Sequence, residues 1–357
     1  MKILVTGGAG YIGSVVAHRL VEEGHRVTVL DDLSTGFAEA VPEGAGFVRG
    51  TMARAAEVLG APGTHDAVVH LAGRALIDDS VRRPERYWQG NTTESLTLLD
   101  AMLAAGVGRI VFSSTAAVYG QPERVPIEES APTVPTNPYG DSKLAVDLAL
   151  TAYARAHGLA AVSLRYFNVA GAVGRFGERH TPETHIIPLA LDAALGRRPE
   201  FAVFGGDYPT PDGTCVRDFV HVADVADAHV AALRGAVPGE HRIYNMGNGT
   251  GFSVREVLAA VGRATGRPVP VRDAPRRSGD PAALVASNER IRRELGWKPD
   301  RPDLDTMIED AFRFHRELHQ QLRQGGRQEP RREPPAEAGR TPRAGSGDAA
   351  GGRGGAR

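Results

Sequence analysis

The run Val5-Thr6-Gly7-Gly8-Ala9-Gly10-Tyr11-Ile12-Gly13 constrains this chain more than any other stretch. It follows an aliphatic strand pattern, Lys2–Thr6, and opens a helical pattern over Ser14–Gly24. Glycines at Gly7, Gly10 and Gly13 permit a tight turn, approach of a diphosphate to the backbone, and close helix–strand packing. The helix N-terminus offers free N–H groups and a partial positive charge, so Tyr11 and Ile12 join the glycines as candidate contacts. A second strand pattern, Arg26–Asp31, ends in Asp31-Asp32, about 20 residues past the loop. A carboxylate there accepts ribose hydroxyls and repels a 2′-phosphate. The residues describe a dinucleotide site that prefers NAD to NADP.

Further strand patterns at Ala67–Leu71, Arg109–Ser114 and Ala160–Tyr166 alternate with helical patterns at Thr92–Ala105 and Tyr139–His157. Their near-continuous apolar character suits parallel strands covered on both faces. The expected fold is α/β: a doubly wound parallel-sheet Rossmann domain with a smaller C-terminal substrate-binding domain. The NAD-binding domain is expected over residues 1–170, with later segments, about 215–250, crossing back. Asp218–Leu233 reads as a further sheet-covering helix, and residues 171–320 as mainly the substrate domain. The tail, 324–357, is rich in Gly, Arg and Pro, has little to bury, and is expected to be disordered.

A formal net charge of −1 removes the electrostatic case for a nucleic-acid partner. No apolar run approaches the roughly 20 residues that span a bilayer, so no membrane partner is expected. With Cys215 as the single cysteine and no signal-peptide pattern, a cytoplasmic protein is expected. His180 and His185 lie close in sequence, but no cysteine cluster or His-Glu-x-x-His accompanies them, so no metal is expected.

Asn137-Pro138-Tyr139-Gly140-Asp141-Ser142-Lys143 sets a tyrosine and a lysine on one face of a helix start. Two unit charges about 4 Å apart at an effective dielectric near 20 interact by roughly 4 kcal/mol, or about three pKa units. Desolvation opposes part of that and an oxidised nicotinamide would add to it, so a Tyr139 phenolate near neutrality is expected to serve as base. Phe112-Ser113-Ser114-Thr115-Ala116-Ala117-Val118-Tyr119-Gly120 ends a core strand in hydroxyls, at the sheet end where open α/β folds bind ligands. Thr115 is the candidate partner for a reacting hydroxyl.

These motifs, with Leu164–Asn168, Phe204–His221 and Pro275–Asp280, resemble the UDP-glucose 4-epimerases (UDP-galactose 4-epimerases) of the extended short-chain dehydrogenase/reductase superfamily. The likeness runs from Met1 to about Pro299, and its most restricted stretch is Phe204–Asp218. It implies Tyr139, Lys143 and Thr115 as the catalytic set. Further NAD contacts would come from Thr51, Leu71, Ala72, Arg74, Asn91, Ser113, Tyr166 and Phe167. Thr115, Asn168, His185, Ile186, Phe204, Arg217, Arg277 and Asp280 would bind the UDP-sugar. Both arginines would clamp its diphosphate and Asp280 its ribose.

The chain departs from the family pattern in places. Thr51 stands where many relatives carry an aspartate for the adenine amino group, and Arg74 where a lysine is usual. Gly90-Asn91 replaces an Asn-Asn pair, and Asp78-Asp79 a common Gly-Glu. The implied activity is NAD-dependent 4-epimerisation of a UDP-hexose, UDP-galactose to UDP-glucose, through a transient 4-keto sugar, by a homodimer. Leu284 falls where relatives carry tyrosine or a smaller residue, which leaves UDP-N-acetylhexosamine open as a substrate. A UDP-uronic acid substrate and a non-catalytic NAD-sensing role stay open as well. A 4,6-dehydratase would want an Asp-Glu pair where Ala116-Ala117 stands.

Overall fold

The computed structural model describes residues 1–277 and 279–324, so the expected disordered tail lies outside the described residues apart from Gln324. By its contacts the chain divides into Met1–Glu317 and Leu318–Arg357, and everything below belongs to the first unit. Six strands come first: β1 (Lys2–Thr6), β2 (Arg26–Asp31), β3 (Gly46–Arg49), β4 (Ala67–His70), β5 (Arg109–Thr115) and β6 (Ala160–Tyr166). Then come β7 (Asn168–Ala170), β8 (Ala172–Val173), β9 (Phe176–Gly177), β10 (Phe201–Phe204) and β11 (Val216–His221). The last are β12 (His241–Met246), β13 (Gly251–Ser253), β14 (Val271–Ala274) and β15 (Ala283–Leu284).

The large sheet runs β12-β6-β5-β4-β1-β2-β3, with every neighbouring pair parallel. Its strands are apolar on both faces because both are covered. In β1, Ile3 and Val5 enter one core with Val16 and Leu20 of the helix Tyr11–Glu22 and Leu233 of the helix Val222–Gly235. Leu4 enters the opposite core, with Leu98 and Met102 of Glu94–Ala104 and Leu150 of Pro138–His157. Each such side chain contributes about 1.5–3 kcal/mol on full burial. A third core, with Ile187, Phe201, Phe219 and Val257, underlies the C-terminal lobe, where β7, β13 and β15 all pair with β11.

Strand order reverses between β1 and β4, and the crevice outside their carboxyl ends is where such folds bind ligands. The helix beside it, Pro138–His157, starts where its sequence says: Asn137 Oδ1 accepts the Gly140 N–H at 2.9 Å, and Pro138 occupies the first turn.

Two stretches differ from expectation. Asp218–Leu233 is not one helix: Asp218–His221 belongs to β11, and the helix begins at Val222. The strand wins because Phe219, Val220 and His221 pair with β7, while the Asp218 carboxylate accepts the N–H groups of Asn248, Gly249 and Ala286. Strands β3 and β12 carry no strong pattern, since both are edge strands and β3 is largely exposed.

Asp147 and Arg165 are buried together beneath β5 and β6, 3.1 Å apart, and Ser114 donates to the same carboxylate oxygen. The Arg165→Leu variant strands Asp147 as a buried unpaired charge. Urea unfolding should show it about 3–5 kcal/mol less stable than the natural chain.

Candidate active site

Gly7, just after β1, has a positive φ of 72°, and a Cβ there would lie 2.6 Å from the Ala72 nitrogen in the turn after β4. The two loops that flank the crevice therefore touch backbone to backbone. A Cβ on Gly13 would lie 2.0 Å from the Gly7 carbonyl oxygen, so the helix packs onto the loop only with glycine there. Gly10 meets only that oxygen, at 3.4 Å, and no side chain caps the helix that follows. The first-turn N–H groups, those of Tyr11, Ile12 and Gly13, are left for an anion.

Asp31 ends β2 and is buried; its two oxygens accept N–H groups from Ala9 at 3.0 Å and Leu33 at 2.8 Å. Burial pushes its carboxyl up, and those two hydrogen bonds pull it back. A carboxylate has about four acceptor sites, so two remain for ribose hydroxyls. Asp32 is exposed and accepts from the Ser34 N–H. Thr51 spends its hydroxyl capping a short turn through the Ala53 N–H. Next to it, the unexpected Glu94 accepts the Met52 N–H at 3.3 Å.

The turn Leu71-Ala72-Gly73-Arg74 is held by Asn91, which is buried in a π-helical turn, Trp88–Thr93. Asn91 Oδ1 accepts the Arg74 N–H at 2.7 Å, and its Nδ2 donates to Arg74 O and Ser142 Oγ. Asn91 thereby ties the cofactor turn to the helix of Tyr139 and Lys143. The open glycine loop, the uncapped helix and the buried acidic strand end fit a dinucleotide such as NAD.

Thr115 ends β5 directly across from Tyr166 of β6. Its Oγ1 accepts the Ala117 N–H at 3.1 Å, which leaves the hydroxyl proton to donate to Tyr139. Burial raises the Tyr139 phenol above its ordinary value, and the Thr115 hydrogen bond lowers it. In the chain alone desolvation is the larger of the two, and the charge of an oxidised nicotinamide is what the expectation adds. Lys143 Nζ donates to the Ser113 carbonyl at 2.8 Å and lies 4.8 Å from the centre of the Phe112 ring. Burial brings the ammonium down to about 8, against the pull of Asp147. Desolvation of both groups thus outweighs their spacing.

Other buried groups surround this pair. Tyr87 meets the Tyr139 ring edge-on at 6.4 Å and donates its own hydroxyl to Leu76 O. His70 bridges Thr6 and Ser95, and burial, helped by the Lys143 charge, takes it down to about 3. Tyr166 hydrogen-bonds His229 at 2.6 Å, and the Phe167 N–H donates to Met246 O.

Of the expected substrate residues, Phe204, Arg217, Arg277 and Asp280 come together. The Arg277 guanidinium lies 4.0 Å from the Phe204 ring centre. Arg217 donates to the carbonyls of Val216 and Pro281 at 2.9 Å each and lies 3.7 Å from Asp280. Asn168 reaches this group through the sheet, paired with Phe219 two residues beyond Arg217. His185 differs: its Nδ1 lies 2.9 Å from Glu178 and 3.0 Å from Glu183, at the residue before the helix Ile186–Ala194. Neither glutamate stood out in the sequence, where the spacing of His180 and His185 was the only signal.

Glycine loop, acidic strand end and Tyr-x-x-x-Lys beside a threonine define a nicotinamide-dinucleotide protein of the short-chain dehydrogenase type. Residues 3–247 match the model of the NAD dependent epimerase/dehydratase family, and the chain belongs to that family. It is 54% identical over 314 residues to a UDP-glucose 4-epimerase of Corynebacterium glutamicum, covering 88% of this chain and 95% of that one. A Streptomyces lividans UDP-glucose 4-epimerase is 56% identical over 317 residues, covering 88% of this chain and 96% of that one. Among solved structures, a UDP-glucose 4-epimerase of Stenotrophomonas maltophila with bound NAD and formylated UDP-arabinopyranose superposes with a TM-score of 0.85. It is 38% identical and covers 90% of this chain and 99% of that one.

The Thr115–Tyr139 hydrogen bond has a direct optical test. Ultraviolet titration of the phenol, measured as a difference against Tyr139→Phe, should show ionisation at higher pH in Thr115→Val than in the natural chain.

Proposed function

We propose that this chain catalyses NAD-dependent 4-epimerisation of a UDP-hexose, interconverting UDP-galactose and UDP-glucose through a transient 4-keto sugar. The observation that carries the reading is one cluster at the strand ends: Thr115 closing β5, Tyr139 in the first turn of Pro138–His157, and the Lys143 ammonium on the Ser113 carbonyl beside the Gly73 turn. When bound, NAD supplies the place where the C4 hydrogen of the sugar is taken up and returned.

The chain's own groups do the rest. Tyr139 takes the proton of the 4-hydroxyl and returns it to the same oxygen once the C4 hydrogen has come back to the other face of the sugar. Thr115 donates to the oxygen that carries the developing charge, and Lys143 offsets the negative phenolate and holds the nicotinamide ribose. Gly7, Gly10, Tyr11, Ile12 and Gly13 receive the cofactor diphosphate, and Asp31 the adenosine ribose. Asn168, Arg217 and Arg277 hold the UDP diphosphate, while Phe204 and Asp280 hold the uridine. Fixing the nucleotide lets the sugar turn without leaving, which a reaction on both faces of C4 requires.

Leu284 favours a second substrate. It pairs with Arg217 and is only half-buried, and a leucine leaves room that a tyrosine would fill. UDP-N-acetylhexosamines are therefore expected to react as well. We further propose a homodimer packed through Glu94–Ala104 and Pro138–His157, on which Leu96, Leu103 and Leu148 are exposed. No helix among the described residues is long and apolar enough to cross a membrane.

Incubation of the purified chain with UDP-galactose, without added NAD, should yield UDP-glucose. No conversion even after NAD is supplied would contradict the reading. The Tyr139→Phe variant should lose about 10²–10⁴-fold in kcat while still binding UDP-glucose by calorimetry.

A further inference from the structure

Two carboxylates and two imidazoles, one of them His185 of the expected substrate set, converge on one point between β9 and the helix Ile186–Ala194. His185 Nδ1 lies 2.9 Å from Glu178 Oε1 and 3.0 Å from Glu183 Oε1. His180 Nδ1 lies 3.5 Å from Glu178 Oε1 and 3.6 Å from Glu183 Oε2. One donor atom from each of the four lies within 4.8 Å of the others. A tetrahedral zinc with bonds of about 2.0–2.2 Å holds its donors roughly 3.3–3.6 Å apart. Two of the four separations fall at that length and two a little below it, so side-chain movement alone would open the site to an ion.

We propose that Glu178, His180, Glu183 and His185 form a structural site for a divalent transition cation of the zinc class. Two carboxylates and two neutral imidazoles neutralise a divalent charge, and a nitrogen–oxygen donor set of four suits zinc in closed geometry. A second observation supports the site independently. His180 Nδ1 is buried and makes no hydrogen bond, although both carboxylates lie close to it. It faces both carboxylates at ion-pair distance without a short contact to either, and an ion would bridge the three groups.

The position gives the ion a purpose. Phe176 of β9, two residues before Glu178, packs on His18 of the helix that Tyr11 opens, 4.8 Å between ring centres, so the cluster follows directly on a strand held against the cofactor-loop helix. At its other end, His185 and Ile186 enter the helix expected to meet the substrate. The ion would pin this run between the two.

The test uses the full chain without a histidine tag. Chelator-treated protein is titrated with Co2+, and the visible bands of four-coordinate cobalt should saturate at about one equivalent and bleach on adding Zn2+. Added Zn2+ should also raise the Tm of the stripped protein. The double variant Glu178→Gln/Glu183→Gln, checked for fold by far-ultraviolet circular dichroism, should lose the bands. Absence of tetrahedral bands in the natural chain overturns the proposal and leaves two histidinium–carboxylate pairs in its place. Unchanged bands in the folded double variant also overturn it. Should the variant not fold, the cobalt titration of the natural chain decides alone.

Discussion

Parallel hydrogen bonding between β5 and β6 sets Thr115 beside Tyr166, and both halves of the site hang from that register. On the β5 side, Thr115 meets the phenol of Tyr139, and the Ser113 carbonyl receives Lys143. On the β6 side, the chain leaves the large sheet after Tyr166 and within two residues enters β7, alongside β11. Arg217 lies on β11, so one short run links the proposed proton-transfer group to the proposed diphosphate clamp. A one-residue slip would turn every side chain of the strand to the other face. The buried Asp147–Arg165 pair and its neighbours Ser114, Tyr119 and Asn245 tie β5, β6 and β12 together below the site.

Burial sets the electrostatics of the crevice. It raises Tyr139, lowers Lys143 to about 8 and takes His70 to about 3. A phenol so placed resists ionisation, and an ammonium so placed gains from any negative charge brought near it. On the proposed reaction, a phenolate at Tyr139 is the charge that the Lys143 ammonium would offset. Thr115 assists because the Ala117 N–H orients its hydroxyl as a donor. The site is built for a charge that develops during reaction, with dipoles aimed at it beforehand.

Local patterns carried much of this fold. Lys2–Thr6, Arg26–Asp31 and Ala160–Tyr166 read from the chain with the bounds they have in the structure, since strands buried on both faces are nearly all apolar. Edge strands β3 and β12 lack that signature, and Asp218–His221 was hidden inside a helical pattern because its strand character depends on distant β7. The glycine loop and the Tyr139–Lys143 pair are local and legible. Asn91 acting as a clamp, Tyr87 against Tyr139 and His70 under Lys143 are contacts across the fold, which no spacing announces. Charge spacing between Tyr139 and Lys143 was readable; that Lys143 Nζ aims at the Ser113 carbonyl was not, because it depends on where β5 ends.

The account rests on a sugar that is oxidised at C4, turns while its UDP is held, and is reduced from the other face. Mass spectrometry of UDP-glucose made from UDP-[4-²H]galactose in ordinary water tests this most directly. The account predicts that the product keeps its deuterium at C4, without exchange into unlabelled UDP-galactose added alongside. Loss of the label to solvent, or its transfer to the unlabelled sugar, would contradict it.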